Sequence, residues 1–172
     1  MSAKRDIGVQ VLAWWRANLS ARTSSGDGLV RMDQTAARGL SARLRRGCFP
    51  DVLFEPATQQ LRCQLNLNEH ELKRFSHLLI LLGEIREHDP RPLASLLGGA
   101  SGERLLSHMR FKQLMSADDD KRLDLLRRAL GLTGGRCNVA RLAWDMILWN
   151  DQVRTRWCLD YFDSEMPEEK ED

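Results

Sequence analysis

The sequence predicts an all-α protein, residues 1–162 forming a single domain, a helical bundle of about eight helices in two lobes that share a core. Three observations lead there. Apolar residues recur at helical spacing through most of the chain, and nothing alternates with the period of a strand. Helix starts are marked by Asn138, by the pair Asn68 and Glu71, and by the run Asp118-Asp119-Asp120. Turn formers such as Phe49-Pro50-Asp51, Asp89-Pro90 and Gly134-Gly135 separate the apolar segments.

In chain order, residues 4–20 read as an amphipathic helix with Ile7, Val11, Trp14, Trp15 and Leu19 as its apolar contributors. The Trp14-Trp15 pair reads as core rather than as a base-stacking platform. Residues 21–32 are a loop rich in Ser, Gly and Asp, and Asp33 caps a second helix running to about Gly47. The end of that helix is strongly basic, with Arg43, Arg45 and Arg46 around an inward Leu44. Cations at a helix C-terminus stabilise it in their own right, which accounts for one or two arginines better than for three.

A shorter helix follows the Phe49-Pro50-Asp51 turn, with Pro56 in its first turn and Leu61 and Leu65 facing in. Asn68 and Glu71 make a capping-box start for the next helix. That helix carries Leu72, Phe75, Leu78, Leu79, Leu82 and Ile85 and stops before Asp89-Pro90. Leu93 to Leu97 is one apolar turn, and Gly98–Gly102 is a flexible joint and the boundary between the lobes. Ser101 or Gly102 starts another helix, which runs to Ser116. The three aspartates cap the one after it and read as a cap, not as a metal site. There Leu123, Leu125, Leu126 and Leu130 share a face, and Lys121, Asp124, Arg127 and Arg128 fill the remaining arc.

The last helix is predicted as one element from Asn138 to about Phe162. It holds Trp144, Trp149 and Trp157, three of the five tryptophans. Val139, Leu142, Met146, Trp149, Val153 and Trp157 form one stripe, and Trp144, Leu148, Leu159 and Phe162 lie roughly opposite. A helix apolar on two faces is either the centre of a bundle or meets another subunit with its second face. Arg141, Arg154 and Arg156 flank these stripes, so their stems can cover the tryptophans while their charges stay in water.

The formal charge of +2 conceals a segregation. Residues 163–172 form an acidic tail, read as disordered, with six acids and one base; the rest holds 25 bases against 18 acids, a balance of +7. Bodies of this kind often meet phosphate backbones. Cys48, Cys63, Cys137 and Cys158 form no CxxC and read as reduced, mostly buried thiols of a cytoplasmic protein. No signal peptide or membrane-spanning run is present in the sequence. His70, His77, His88 and His108 lack zinc spacing, and no HExxH, GxSxG or phosphate-loop motif occurs. The reading is therefore of a protein with no catalytic residue, no metal and no cofactor.

Several pieces together resemble the CasB family, the small subunit of the type I-E CRISPR Cascade complex. They are Met109-Arg110-Phe111-Lys112-Gln113-Leu114, Leu126-Arg127-Arg128-Ala129-Leu130, Asn138-Val139-Ala140-Arg141-Leu142-Ala143, Trp149, Val153-Arg154-Thr155-Arg156-Trp157 and Tyr161. Trp14-Trp15-Arg16 and Leu44-Arg45-Arg46-Gly47-Cys48 fit as well. The segment 53–102 carries little of the resemblance, and the acidic tail none. The resemblance implies a two-lobed, non-catalytic prokaryotic protein that works in a guide-RNA ribonucleoprotein. It also implies contacts with the Cascade backbone and large subunits, with a second copy of itself and with the displaced single-stranded DNA, whose R-loop it steadies. The excess of Arg over Lys suits bidentate phosphate contacts, and motifs for base-specific reading are missing, as guide pairing would make them unnecessary.

The candidate phosphate contacts are Arg45, Arg46, Arg110, Lys112, Arg127, Arg128 and Arg154. Arg110 has an alternative as a structural ion pair with one of the acids of the Asp118–Asp120 run. Trp149 and Trp157 belong to the core. The competing class is a helical protein–protein adaptor, supported by the two-faced last helix; a transcription regulator lacks its helix-turn-helix signature. The acidic tail is expected to compete with nucleic acid for the basic surface until assembly displaces it.

Overall fold

The computed structural model describes residues 6–20, 28–99 and 103–163. Parts of four predicted features lie outside these residues: the first two residues of the helix 4–20, the loop 21–32 up to residue 27, the joint and helix start at 100–102, and the acidic tail beyond residue 163. The described residues form nine α-helices: α1 (Ile7–Asn18), α2 (Gly28–Arg46), α3 (Pro56–Leu65), α4 (Leu72–Glu84), α5 (Leu93–Gly98), α6 (His108–Ser116), α7 (Asp119–Leu132), α8 (Val139–Ile147) and α9 (Asp151–Asp163). Two-residue strands β1 (Glu87–His88) and β2 (Arg136–Cys137) pair in parallel. The all-α prediction holds apart from this one bridge.

The organising element is α4, not the last helix. Every residue from Phe75 to Gly83 is buried. Helices α2, α7 and α8 surround it. Each fully buried large apolar side chain there contributes about 1.5–3 kcal/mol relative to exposure. Helix α2 comes closest at Gly83, whose absent Cβ would stand 3.1 Å from the Ser41 carbonyl and 3.0 Å from Cγ of Arg45. The Ser41 hydroxyl donates to the Gly83 carbonyl at 2.8 Å across the same contact. Around this centre α1 packs on α8 and α3, and α5 packs on α9. Trp14 and Trp15 are in the core as read, and Nε1 of Trp14 donates to the Ala57 carbonyl at 3.0 Å.

The predicted last helix is two. Asn150 interrupts it by accepting the Val153 N–H at 3.0 Å, an N-cap that begins α9. Arg74 on α4 donates to the Trp149 carbonyl at 3.2 Å and satisfies a group that the end of α8 leaves open. The predicted stripe survives the break: Val139, Leu142, Met146, Trp149, Val153 and Trp157 are all buried. On the opposite side Leu159 and Phe162 are exposed, and Trp144 is half-buried beneath Arg156, whose guanidinium carbon lies 4.7 Å from the ring centroid.

Other boundaries move for local reasons. Helix α2 starts at Gly28, so Asp33 lies inside it and residues 28–32 are not loop; no breaker follows Gly28. Helix α6 starts at His108, because Ser107 caps it and the N–H groups of Leu105 and Leu106 both donate back to the Leu97 carbonyl. Three of the four cysteines are exposed rather than buried. Cys63 follows inward Leu61 by two positions and Cys158 follows inward Trp157 by one, which turns both thiols outward. Cys48 sits in the turn after α2 and donates to Asp51 at 3.3 Å. Only Cys137 is buried, and desolvation pushes its thiol well above the ordinary range.

Candidate nucleic-acid interface

The seven predicted cations fall into three groups. The first is at the C-terminal end of α2. Arg43 is held there by a two-pronged contact with Glu55, at 2.6 and 3.1 Å. Arg45 is half-buried against α4, and Arg46 is exposed with no partner among the described residues. Arg127 reaches this group from α7. Its Nε and Nη2 donate to Oε1 of Glu84 at 3.0 and 2.8 Å, and Nη2 also donates to the Arg45 carbonyl at 3.0 Å. Arg127 thus ties the ends of α2 and α4 to α7.

The second group lies between α6 and α7. Arg110 and Arg128 line one cleft of about 280 Å³ with Leu106, Gln113, Leu125 and Leu132. No acid lines it. The ion pair considered for Arg110 does not form, because the three aspartates are occupied. Asp118 caps α7 by accepting the Lys121 N–H at 2.9 Å. Asp119 pairs with Arg122 at 2.6 Å and Arg74 at 3.2 Å, and Asp120 pairs with Lys73 at 2.9 Å. Burial opposes ionisation of Asp119, yet the two arginines outweigh it and hold its carboxyl below the usual range. The cap reading of this run is therefore correct.

The third group lies between α6 and α9. Lys112 and Arg154 line a groove of about 560 Å³ together with Phe111, Met115, Cys158 and Phe162. Arg154 contacts Asp151 at 3.0 Å, but both are largely exposed, so the pair holds it weakly.

Sequence reading missed two features. Arg38 is exposed on α2 seven residues before Arg45, on the same face; that spacing was the available signal. Arg122, by contrast, is buried: its guanidinium lies 4.3 Å from the Trp149 ring centroid and donates to the Ala117 carbonyl at 2.7 Å. Among the described residues no group of three His, Cys, Asp or Glu could hold a metal ion, and no helix is long and apolar enough to cross a membrane.

A family model described as CRISPR-associated protein Cse2 (CRISPR_cse2) matches residues 40–162. The chain belongs to the Cse2 family. All seven cations lie in the matched range, as does the 53–102 segment that carried little of the CasB resemblance; Trp14-Trp15-Arg16 lies outside it. Solved structures share the fold. A Cse2-family CRISPR-associated protein of Thermus thermophilus is 24% identical with a TM-score of 0.66, and a structure described as CasB from Thermus thermophilus is 23% identical with a TM-score of 0.63. Both alignments cover 91% of this chain and 97% of the other. A chain of E. coli Cascade bound to a PAM-containing double-stranded DNA target is 20% identical, with a TM-score of 0.58 over 90% of this chain and 97% of that one. A search of curated protein sequences gave no match. The family resemblance read from the sequence is confirmed, and the chain is a CRISPR-associated protein.

Proposed function

We propose that this Cse2-family protein is the non-catalytic small subunit of a Cascade effector complex. It works in a guide-RNA ribonucleoprotein, against backbone and large subunits and a second copy of itself. Its role is to hold the backbone of a displaced single strand and so to stabilise the R-loop. The observation that carries the reading is the α6–α7 cleft, which Arg110 and Arg128 both line with no acid among the lining residues. Two unneutralised guanidiniums in one cleft repel each other unless an anion lies between them, and their forks match phosphate oxygens. Arg46, Lys112 and Arg154 add exposed positive charge. Arg45 and Arg127 support this surface more than they extend it, since Arg127 is engaged with Glu84.

The test is the double variant R110E/R128E, titrated into labelled single-stranded DNA at several salt concentrations and also assembled with its partner subunits. Losing two phosphate contacts flattens the slope of log affinity against log salt by about 1.4. Assembly should be normal and R-loop lifetime shortened. An unchanged slope together with an unchanged R-loop would favour the adaptor reading. That reading draws support from Met109 and Leu159, which are exposed on α6 and α9.

A further inference from the structure

We infer that the groove between α6 and α9 is the seat of the chain's own acidic segment, residues 164–172. Charge, apolar surface and reach each select this occupant. The segment reads SEMPEEKED, with five acids and one base. The groove presents two cations, Lys112 and Arg154, against one lining carboxylate, Asp151, whose exposed pair with Arg154 is weak. Phe111, Met115 and Phe162 supply its apolar surface beside His108 and Thr155, and Phe162 is 41% exposed. Met166 is the one large apolar residue of the segment and suits that surface.

The reach is sufficient. Arg154 lies eight residues before Phe162 on α9, about 12 Å along the helix. An extended chain turning back at Ser164 covers that distance in about four residues. Pro167 disfavours continued helix and biases Met166 to an extended conformation. The seated segment covers Lys112 and Arg154. That it thereby weakens strand binding by the free protein rests on the function proposed above; the seat itself does not.

Cys158 lines the groove and reports on its occupancy. In a C48S/C63S background Cys158 is the one exposed cysteine, since Cys137 is buried. The rate of alkylation by iodoacetamide, which is small and uncharged, is compared between the full chain and a chain ending at Asp163. A segment seated nine-tenths of the time slows the full chain about tenfold. M166D and K112E/R154E should each restore the rate of the shortened chain, with unchanged circular dichroism confirming the fold. Equal rates for full and shortened chains overturn the seat, as does full protection in K112E/R154E. Protection that grows with protein concentration places a second copy in the groove and overturns the intramolecular seat. Single-stranded DNA affinity, measured on the same pair of chains, separates the two claims. Lost protection with unchanged affinity keeps the seat and removes the masking.

Discussion

Arg127 and Arg128 are neighbours in sequence with opposite predicted consequences when truncated. They lie about 100° apart on α7. Arg127 points to Glu84 and the Arg45 carbonyl, and Arg128 lines the cleft opposite Arg110. The Arg127 and Glu84 side chains are 38% and 23% exposed, so solvent reduces their ion pair to about 1 kcal/mol or less. The bond to the Arg45 carbonyl adds about 1 kcal/mol. R127A should therefore lose between about 1 and 2 kcal/mol, which for a domain of this length lowers Tm by roughly 2–8 °C. Arg128 is exposed with no partner among the described residues, so R128A should stay within about 0.5 kcal/mol of the parent. In single-stranded DNA binding the order reverses. R128A should flatten the salt slope by about 0.7, one phosphate contact, and R127A should leave it unchanged. Thermal denaturation followed by circular dichroism and anisotropy titrations at several salt concentrations read both quantities. If R128A lowers Tm as far as R127A does, or R127A alone flattens the slope, the division of roles is wrong.

Three other sites give sharp outcomes. Asp145 is buried on α8 and accepts from Nε1 of Trp157 at 2.7 Å and from Arg156. D145A leaves the buried indole N–H unpaired and should cost about 2 kcal/mol in urea unfolding, while D145N keeps an acceptor and should cost about half that. Burial raises the Asp145 carboxyl above its usual range despite these two donors. The folded state therefore binds that proton more readily, and the contribution of Asp145 to stability falls as pH rises through the raised value. At Asp89 the sign is opposite. Hydrogen bonds from Arg91 hold its carboxyl down to about 2, so its contribution, at most about 2 kcal/mol, is present above the ordinary value near 4 and is lost as pH falls from there to 2. D89N should flatten stability across that window, and an unchanged acid limb in its pH titration would exclude the Arg91 contact as the cause. Gly8 lies where α1 meets α8, and an added Cβ would stand 2.6 Å from the Ala140 carbonyl. G8A gains about 1 kcal/mol in helix propensity but should lose a net 1–2 kcal/mol to overpacking, read as a lower urea midpoint.

Local signals were legible in the sequence and long-range ones were not. Asp118, Asn138 and Pro56 each start a helix where their chemistry predicts, and Asn68 with Glu71 caps the 3-10 turn Glu69–Glu71 that leads into α4, because a cap needs only residues three positions away. The apolar stripe through Val139, Met146 and Trp157 was also legible, since periodicity survives a change of axis. The break within it was not. Asn150 is a weak signal inside a long periodic run, and the contact that makes the break tolerable comes from Arg74, 75 residues away. The central place of α4 was hidden for a similar reason. An apolar run such as Leu78–Leu82 shows that a helix is buried but not which neighbours bury it. At the candidate interface the residue type was legible and the pairing was not, because Glu84 meets Arg127 across 43 positions.

Pairing is what sorts the arginines of this basic body. Arg122 and Arg156 each sit over a tryptophan and hold a carboxylate, so their charge is neutralised inside the fold and their stems extend the core. Arg43, Arg91 and Arg127 join elements or turns through acids at their surfaces. What remains unneutralised at Arg46, Arg110 and Arg128 is the part of the charge that folding does not use. An exposed cation costs the fold little, and Arg110 and Arg128 line one cleft with no acid among its lining residues. On the function proposed above, that remaining charge is the part available to a phosphate backbone, in a chain of a CRISPR-associated family.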